Sequence, residues 1–485
     1  MSAEESLLPT TTTTAASRAD NRLPWVLTLS VGMGALLFGY HAGFSSPSEE
    51  SVLEEVFEND RQAADLAWSI LNVGAMVGAL LCGPIASRYG RRPAVLLNCV
   101  PYIAGAVLMV ISRGGARAMF TTGRLVAGAG VGYSSVIVPL YVAEIALPSL
   151  RGTLGCINQL NISGGVLVVS VLGLPIIAHA WWWRIMMIVS LGFVVLQFLP
   201  MLLLAPESPV WLCSSGKTEQ ARASLRQLRG SKYAVEDELQ ALVHHTEMDK
   251  ANAGAESSSY VQLFSSQVRR PVVLGVLLMV LQQFSGINGV VFNMKSLFDN
   301  GSSSASYVSM LGSILVNAVQ VIATAGACTL MERVGRRTFL LSSCVGMALS
   351  CSVMAVAVYY SLATYVKIFA LFESAFGVAR WNTDVGRRCG YMIMFAFGVG
   401  PLPWLLCSEI YPSSVRAVAM SLSTVTNWAC SFLVTLLFDD MVLHIGQHGV
   451  FVFYAAVCLA GAVFFGATLP ETRGLSLEQI EELWK

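Results

Sequence analysis

The chain has 485 residues, of which 55% are hydrophobic and only 12% are charged, and its mean hydropathy is +0.63. Soluble domains carry about 25% charged residues, so this composition excludes a protein whose main solvent is water. The 30 basic and 30 acidic side chains give a formal net charge of zero, which provides no bulk attraction for nucleic acid.

The N-terminal segment, residues 1–24, lacks the basic and apolar regions of a cleaved signal peptide, and we interpret it as a disordered cytoplasmic tail. The 11 cysteines are scattered, mostly inside apolar runs, without the spacing of metal ligands or of a secreted disulfide framework. They are predicted to be inert packing residues. No metal or other cofactor is expected.

Long apolar runs divide the chain into membrane-spanning helices, because one bilayer crossing needs about 20 apolar residues. Twelve helices are predicted, at residues 25–45, 66–87, 93–112, 118–143, 153–175, 183–205, 271–294, 307–331, 338–360, 388–409, 415–437 and 449–469. An even number places both ends of the chain on one side. Basic residues crowd the segments that would then face the cytoplasm, as the positive-inside rule requires.

One long polar stretch, residues 206–270, separates the sixth helix from the seventh and contains segments that favour short helices. The chain is therefore predicted to contain two six-helix bundles, at 25–205 and 271–469, joined by this cytoplasmic linker. Residues 470–485 form a cytoplasmic C-terminal tail.

The two halves repeat three sequence elements at matching places. Each half has a basic turn after its second helix, a glutamate seven residues before an arginine, and a Pro-Glu-Ser/Thr sequence after its sixth helix. The repeated charges are Arg88, Arg91, Arg92, Glu144, Arg151 and Glu207 in the first half, and Arg333, Arg336, Arg337, Glu409, Arg416 and Glu471 in the second. Parallel repeats of this kind describe the two halves of a major facilitator, which holds its substrate between them near the midplane.

These repeated charges lie where helices reach the cytoplasm. We therefore predict that ion pairs between the two halves close an inner gate there. The alternative is that the charges only orient the helices in the membrane.

Two longer motifs, Gln-Gln-Phe-Ser-Gly-Ile-Asn at 282–288 and Gly-Val-Gly-Pro-Leu-Pro-Trp at 398–404, resemble signatures of the sugar porter family of the major facilitator superfamily. Together with the repeated elements, the resemblance covers nearly the whole chain. It implies an all-α membrane protein with twelve transmembrane helices, in the major facilitator fold of two six-helix bundles. It further implies transport of a hexose, with glucose the first expectation, by alternating access and facilitated diffusion.

A hexose has hydroxyl groups and an apolar ring face, so a dry site must supply amides and aromatic planes. By resemblance, we assign the sugar hydroxyls to Gln159, Gln282, Gln283, Asn288, Asn317 and Asn427, and ring packing to Trp404, with Phe292, Phe395 and Trp428 as further candidates. Each amide could instead be a contact between helices.

Helix ten is predicted to bend, because two glycines and two prolines occur between Gly398 and Pro403 and each proline removes a backbone hydrogen bond. We expect this helix to act as a gate. A fixed kink is the alternative.

Proton-coupled relatives that resemble this chain carry an Asp after the Phe-Gly-Tyr sequence of helix one, facing an Arg in helix four. Here His41 follows that sequence and Arg124 supplies the arginine, and no acidic residue lies deep in any predicted span. Ala396 replaces a Glu of most facilitative relatives, which puts in doubt one ion pair of their inner gate. We expect uniport, with proton symport of a hexose or polyol through His41 as the alternative, since histidine can take up a proton near neutral pH.

An enzyme is not expected, because no cluster of nucleophile, base and metal ligands is present in the sequence. The expected partners are a small-molecule sugar and the lipid bilayer, with no nucleic acid, and the protein is expected to work as a monomer. A sugar sensor that binds without transporting is a further alternative, which would be expected to have a long cytoplasmic extension.

The protein is expected to be located in the plasma membrane. An endosomal or lysosomal membrane is the alternative, because residues 4–8, Glu-Glu-Ser-Leu-Leu, match an acidic dileucine sorting signal. The sequence Asn300-Gly301-Ser302 in a predicted outer loop matches a glycosylation acceptor.

Overall fold

A computed structural model describes residues 20–177, 179–230, 233–252, 263, 265, 268–288, 303–360 and 383–484. Within these ranges the chain forms helices and short turns and contains no strand. Backbone groups inside a bilayer must be satisfied within their own segment, and a helix achieves this.

The first half contains α1 (Arg22–Gly43), α2 (Ser45–Glu55), α3 (Arg61–Tyr89), α4 (Arg91–Leu97), α5 (Cys99–Ile111), α6 (Arg117–Ile145), α7 (Arg151–Leu172) and α8 (Trp182–Leu203). The linker contributes α9 (Pro209–Ser214), α10 (Thr218–Arg229) and α11 (Val235–Asn252). The second half contains α12 (Arg269–Phe284), α13 (Ser303–Val334), α14 (Arg336–Tyr359), α15 (Thr383–Phe397), α16 (Leu402–Ile410), α17 (Arg416–Thr468) and α18 (Leu477–Glu482).

Eleven segments of the described chain are long and apolar enough to cross a membrane. The predicted crossing at 271–294 is described only as far as residue 288. The predicted tenth crossing consists of two helices, α15 and α16, which are separated by a turn within the Gly-rich motif. The last two predicted crossings run together as α17, whose backbone breaks at Gly446 with φ of 72°.

Small residues let the helices of the first half approach closely. A Cβ atom added at Gly132 of α6 would lie 1.8 Å from the carbonyl oxygen of Ala75 in α3, so only glycine fits there. Van der Waals packing through small residues is the main attraction between helices in lipid. The two halves meet along two further helix pairs, α3 with α17 and α7 with α13.

The basic turn is built twice with the same backbone geometry. Gly90 has φ and ψ of 102° and 169°, and Gly335 has 101° and 155°. Residues with a side chain rarely adopt this region of backbone space. A Cβ atom at Gly90 would also lie 2.3 Å from a carboxylate oxygen of Glu207, and one at Gly335 would lie 2.5 Å from Glu471.

We predict that Gly90→Ala destabilises the protein by more than the 1 to 3 kcal/mol that a disfavoured backbone conformation costs, roughly, by itself. The added methyl group would displace the Glu207 carboxylate. The midpoint temperature of thermal unfolding in detergent, compared between the variant and the wild type, measures this loss of stability. Gly216→Ala is the matched control, because Gly216 has φ of 74° but open space around it. Equal losses in the two variants would contradict the role of Glu207.

Candidate functional site

Four amide side chains form one hydrogen-bonded chain between α12 and α17. Asn288 donates to Gln283 and to the Ser431 hydroxyl, both at 2.8 Å. Gln283 donates to Asn427 at 2.9 Å, and Asn427 donates to Gln282 at 2.8 Å. A buried amide without a hydrogen-bond partner is energetically costly. In this hydrogen-bonded series each of the four amides has a partner.

The chain of amides ends at the turn between α15 and α16. The Gln282 amide donates to the carbonyl oxygens of Val399 at 3.1 Å and Gly400 at 2.8 Å. Pro403 has no N–H for the carbonyl of Val399 four residues earlier, so Gln282 supplies the donor that the helix lacks. The predicted bend of helix ten is therefore coupled to the amides of α12.

Aromatic rings from both halves meet near these amides. The ring of Phe38 in α1 lies 6.5 Å from Trp404 and 5.1 Å from Trp428, between ring centroids. Both tryptophans are buried. Trp428 follows Asn427 directly in α17, and Trp404 lies in α16, which begins just after the turn whose carbonyls Gln282 binds. Phe38 is not among the residues predicted from the sequence, where it is one apolar residue among many in α1.

Two other predicted site residues, Gln159 and Asn317, lie on α7 and α13, one of the helix pairs that join the halves. Gln159 of α7 is buried and makes no side-chain hydrogen bond within the described ranges. Asn317 of α13 donates to the Ser170 hydroxyl of α7 at 3.2 Å, across the two halves. Phe395 is buried in α15. Phe292 and Asn300 lie outside the described residues.

Glu144, near the C-terminal end of α6, is the centre of a buried charge cluster. Its carboxylate binds the Arg91 guanidinium through two hydrogen bonds of 2.8 and 2.9 Å and accepts one from the Ser208 hydroxyl at 2.5 Å. Arg416 of the second half lies 3.8 Å away. The side chains of Glu144 and Arg416 are 0% and 1% exposed. This is an ion pair between the two halves.

The second half repeats this arrangement. Glu409 pairs with Arg336 at 3.4 Å and accepts a hydrogen bond from Thr472 at 2.7 Å. Glu471 accepts the backbone N–H of Arg336 at 2.8 Å and of Arg337 at 3.1 Å. Carboxylates are favourable at such helix N-termini, where N–H groups lack partners.

In the first half, Glu207 takes the equivalent position. It accepts the backbone N–H of Arg91 at 2.8 Å and of Arg92 at 3.2 Å. The Arg92 guanidinium donates to the carbonyls of Met201 and Leu202 near the end of α8.

The remaining predicted arginines differ in their contacts. Arg337 donates to the carbonyl of Gly466 near the end of α17, as Arg92 does at the end of α8. Arg88 lies over the Tyr89 ring, with 5.4 Å between its guanidinium carbon and the ring centroid. Neither Arg88 nor Arg333 forms an ion pair within the described part of the chain, so their predicted gating role has no contact to support it.

Two further contacts join the halves at the same end of the bundle. Arg151 of α7 donates to the carbonyl of Leu475, just before α18, at 3.2 Å. The Ser421 hydroxyl of α17 donates to the carbonyl of Ala79 in α3 and accepts the N–H of Gly83 at 3.2 Å. Together with the contact between Glu144 and Arg416, they connect the two halves at this end of the interface.

His41 and Arg124 lie in the core of the first half. The His41 ring stacks on Tyr102 at 5.4 Å, and neither ring nitrogen has a partner among the described residues. Arg124 donates to the backbone carbonyl of His41 at 3.0 Å and lies 5.1 Å from the Trp68 ring centroid. The arginine is thus stabilised by a carbonyl and an aromatic face, since no carboxylate is present at position 41.

The sequence of this chain matches one family model over nearly its whole length. The model, described as "Sugar (and other) transporter", matches residues 27–484. The chain belongs to this sugar transporter family. It is a multi-pass membrane protein and a transporter, not an enzyme.

Two transporters are similar to this chain over most of its length. The plastidic glucose transporter 4 of Arabidopsis thaliana is 35% identical over 451 residues, which is 93% of this chain and 78% of the relative. The facilitated trehalose transporter Tret1 of Apis mellifera ligustica is 32% identical over 458 residues, which is 93% of this chain and 86% of the relative.

A solved structure confirms the predicted fold. The proton:xylose symporter XylE bound to 6-bromo-6-deoxy-D-glucose matches with a TM-score of 0.81 and 26% identity, over 95% of this chain and 99% of that one. The sugar transporter described here therefore has the twelve-helix major facilitator fold of two six-helix bundles.

We predict that Glu144→Gln weakens the closed cytoplasmic side, because Arg91 and Arg416 lose their shared counter-charge. Removing one partner of a buried ion pair costs about 3 to 5 kcal/mol. The ratio of sugar efflux to influx in proteoliposomes should change, while the order of preference among sugars should not. Arg117→Ala is the control, because its pairs with Glu58 and Asp60 are exposed at the opposite end of α6. Altered preference with unaltered rates would contradict the gate.

Proposed function

We propose that this sugar transporter carries a hexose, with glucose as the first candidate, by alternating access and facilitated diffusion. The observation that carries the proposal is the chain of amides from Gln282 to Asn288, next to aromatic rings from both halves. A primary amide both donates and accepts, as a sugar hydroxyl does. Within the described residues, no Asp or Glu side chain bonds to these amides, which suits a neutral substrate.

The mutual pairing of the amides is itself suited to a sugar. A hydroxyl that donates to one amide and accepts from the next can replace the direct bond between them without leaving a buried group unpaired. Each exchange then contributes little net free energy, because a typical hydrogen bond adds only about 0.5 to 1.5 kcal/mol. The site would bind sugar weakly enough to release it on the other side, which a carrier requires. We include Gln159, Asn317 and Trp404 in this proposed site.

We base the proposed size of the substrate on the aromatic side chains near the site. Phe38 lies close to both Trp404 and Trp428, so three aromatic rings from the two halves cluster together. Such a site suits a single sugar ring. The names of the two relatives include one monosaccharide and one disaccharide, glucose and trehalose. The ring spacing favours the glucose transporter as the closer guide to substrate.

The mode of transport is proposed from Arg124. A carboxylate beside this arginine could trade a proton between the two faces of the membrane, but His41 is present instead and offers the arginine its backbone carbonyl. We therefore propose uniport. The second candidate is proton symport, which is favoured by the lack of a hydrogen-bond partner for either His41 ring nitrogen in the described structure.

We also propose that the two bundles comprise residues 25–205 and 271–469, and that the protein works as a monomer in the plasma membrane. An endosomal or lysosomal membrane is the alternative location.

Gln283→Leu should lower the affinity for glucose by roughly 5- to 150-fold, because losing a hydrogen bond in a buried site costs about 1 to 3 kcal/mol. Asn288→Ala should act in the same direction. Binding of labelled glucose to purified protein measures both. Gln197→Leu is the matched control, because Gln197 is an equally buried amide in the first half, beside Gly34. Wild-type affinity in the first two variants would place the site elsewhere.

Glucose inside proteoliposomes should reach the external concentration and not exceed it, whatever pH gradient is imposed. The reason is that no carboxylate at position 41 is available to load and release a proton. Steady-state accumulation with an acidic exterior, at zero membrane potential, tests this in the wild type and in His41→Asn. Accumulation in the wild type that disappears in His41→Asn would establish symport.

A further inference from the structure

Two arginines of the first half lie beside tryptophan rings, and one of these pairs includes a carboxylate. The guanidinium carbon of Arg184 in α8 is 4.2 Å from the centroid of the Trp183 ring. The Glu55 carboxylate accepts a hydrogen bond from this guanidinium at 2.6 Å and another from the indole N–H of Trp183 at 2.9 Å. One anion therefore satisfies both the cation and the indole donor.

The second pair, Arg124 of α6 and Trp68 of α3, has the same two donors without a carboxylate. The guanidinium carbon lies 5.1 Å from the Trp68 ring centroid, and the guanidinium donates to the backbone carbonyl of His41 at 3.0 Å. The Nε of Arg124 and the indole nitrogen of Trp68 are both buried and have no hydrogen-bond partner among the residues that the structure describes. Donors here outnumber acceptors.

The histidine ring adds to this excess of donors. Neither ring nitrogen of His41 has a partner in the described part of the chain, and a neutral imidazole carries one N–H. His41 and its stacked neighbour Tyr102 are both 0% exposed, so the surroundings of Arg124 are closely packed. Such surroundings favour a small ligand over a large one.

The charge of Arg124 decides the kind of ligand. Its side chain is buried, at 1% exposure, and a buried charge is costly unless a charge of opposite sign and hydrogen bonds compensate it. A backbone carbonyl offers only a partial negative charge. Hydrogen bonds in which one partner is ionised are stronger than neutral ones, so unpaired N–H groups around a cation form a site for an anion.

We propose that a halide ion, chloride, binds beside Arg124 and accepts hydrogen bonds from its Nε–H and from the Trp68 indole N–H. The ion takes the position that the Glu55 carboxylate has beside Arg184 and Trp183. One negative charge balances the single charge of Arg124, whereas a divalent anion would leave a buried excess. The site does not depend on which sugar the protein carries.

The experiment follows the midpoint temperature of thermal unfolding of the full-length protein in detergent while sodium chloride replaces sodium gluconate at constant ionic strength. The midpoint should rise along a saturating curve, because a ligand that binds only the folded protein stabilises it. Sodium bromide should act in the same way. Crystals grown in bromide should show an anomalous-scattering peak beside the Arg124 guanidinium.

Three variants locate the effect. Trp68→Phe keeps an aromatic ring but removes the N–H, so the apparent affinity for chloride should fall roughly tenfold. His41→Asp adds a carboxylate to the residue whose carbonyl Arg124 already binds, so the dependence on chloride should disappear. Trp183→Phe is the matched control: the carboxylate beside it is part of the protein, and the chloride curve should keep its wild-type midpoint concentration.

The proposal is overturned if chloride leaves the unfolding temperature of the wild type unchanged, or if Trp68→Phe and His41→Asp respond to chloride as the wild type does. Bromide peaks only at other places would also overturn it. None of these measurements uses a sugar. A protein that responds to chloride as described but binds no hexose would disprove the proposed substrate and leave the anion site intact.

Discussion

A buried carboxylate can persist in the low dielectric of a membrane protein only if positive and hydrogen-bonding groups surround it, and Glu144 meets this condition by drawing partners from three places. Arg91 comes from the basic turn, Ser208 from the start of the linker and Arg416 from the second half. The turn, the linker and the interface therefore share one electrostatic centre. If the two halves separate as proposed, Arg416 leaves this cluster while Arg91 and Ser208 remain on the carboxylate, so the charge keeps partners.

The same requirement for satisfied polar groups shapes the proposed site. Pro403 deprives the carbonyl of Val399 of its helical donor, and the Gln282 amide replaces it. Gln282 is in turn held by Asn427, which binds Gln283. The bent helix and the amides thus form a connected network. A sugar bound at the proposed site would therefore alter the support of the bend when it displaces one amide.

Much of the fold could be predicted from the sequence. Runs of apolar residues mark the membrane-spanning helices, and the repeated charged motifs show that the chain consists of two related halves. The repeat also singled out Glu144 and Arg416, but it paired each with a residue of its own half, and the contact between them is seen only in the structure. Other contacts were not. Phe38 and Trp68 are ordinary aromatic residues in apolar helices, and only their three-dimensional neighbours, Trp404 and Arg124, distinguish them. Sequence spacing along one helix cannot show which residue of a distant helix packs against it.

The Ser421 contact affects how firmly the closed state is held. Its hydroxyl bridges the carbonyl of Ala79 and the N–H of Gly83, the two groups that bond directly in an uninterrupted helical turn. If the halves separate as proposed, those two groups can bond each other within α3, and the serine can return to its own helix, where a hydroxyl readily bonds a carbonyl one turn back. Separation therefore exchanges hydrogen bonds without losing them. Such a contact aligns α3 with α17 while the halves are together, but it adds little to the free-energy barrier to their separation.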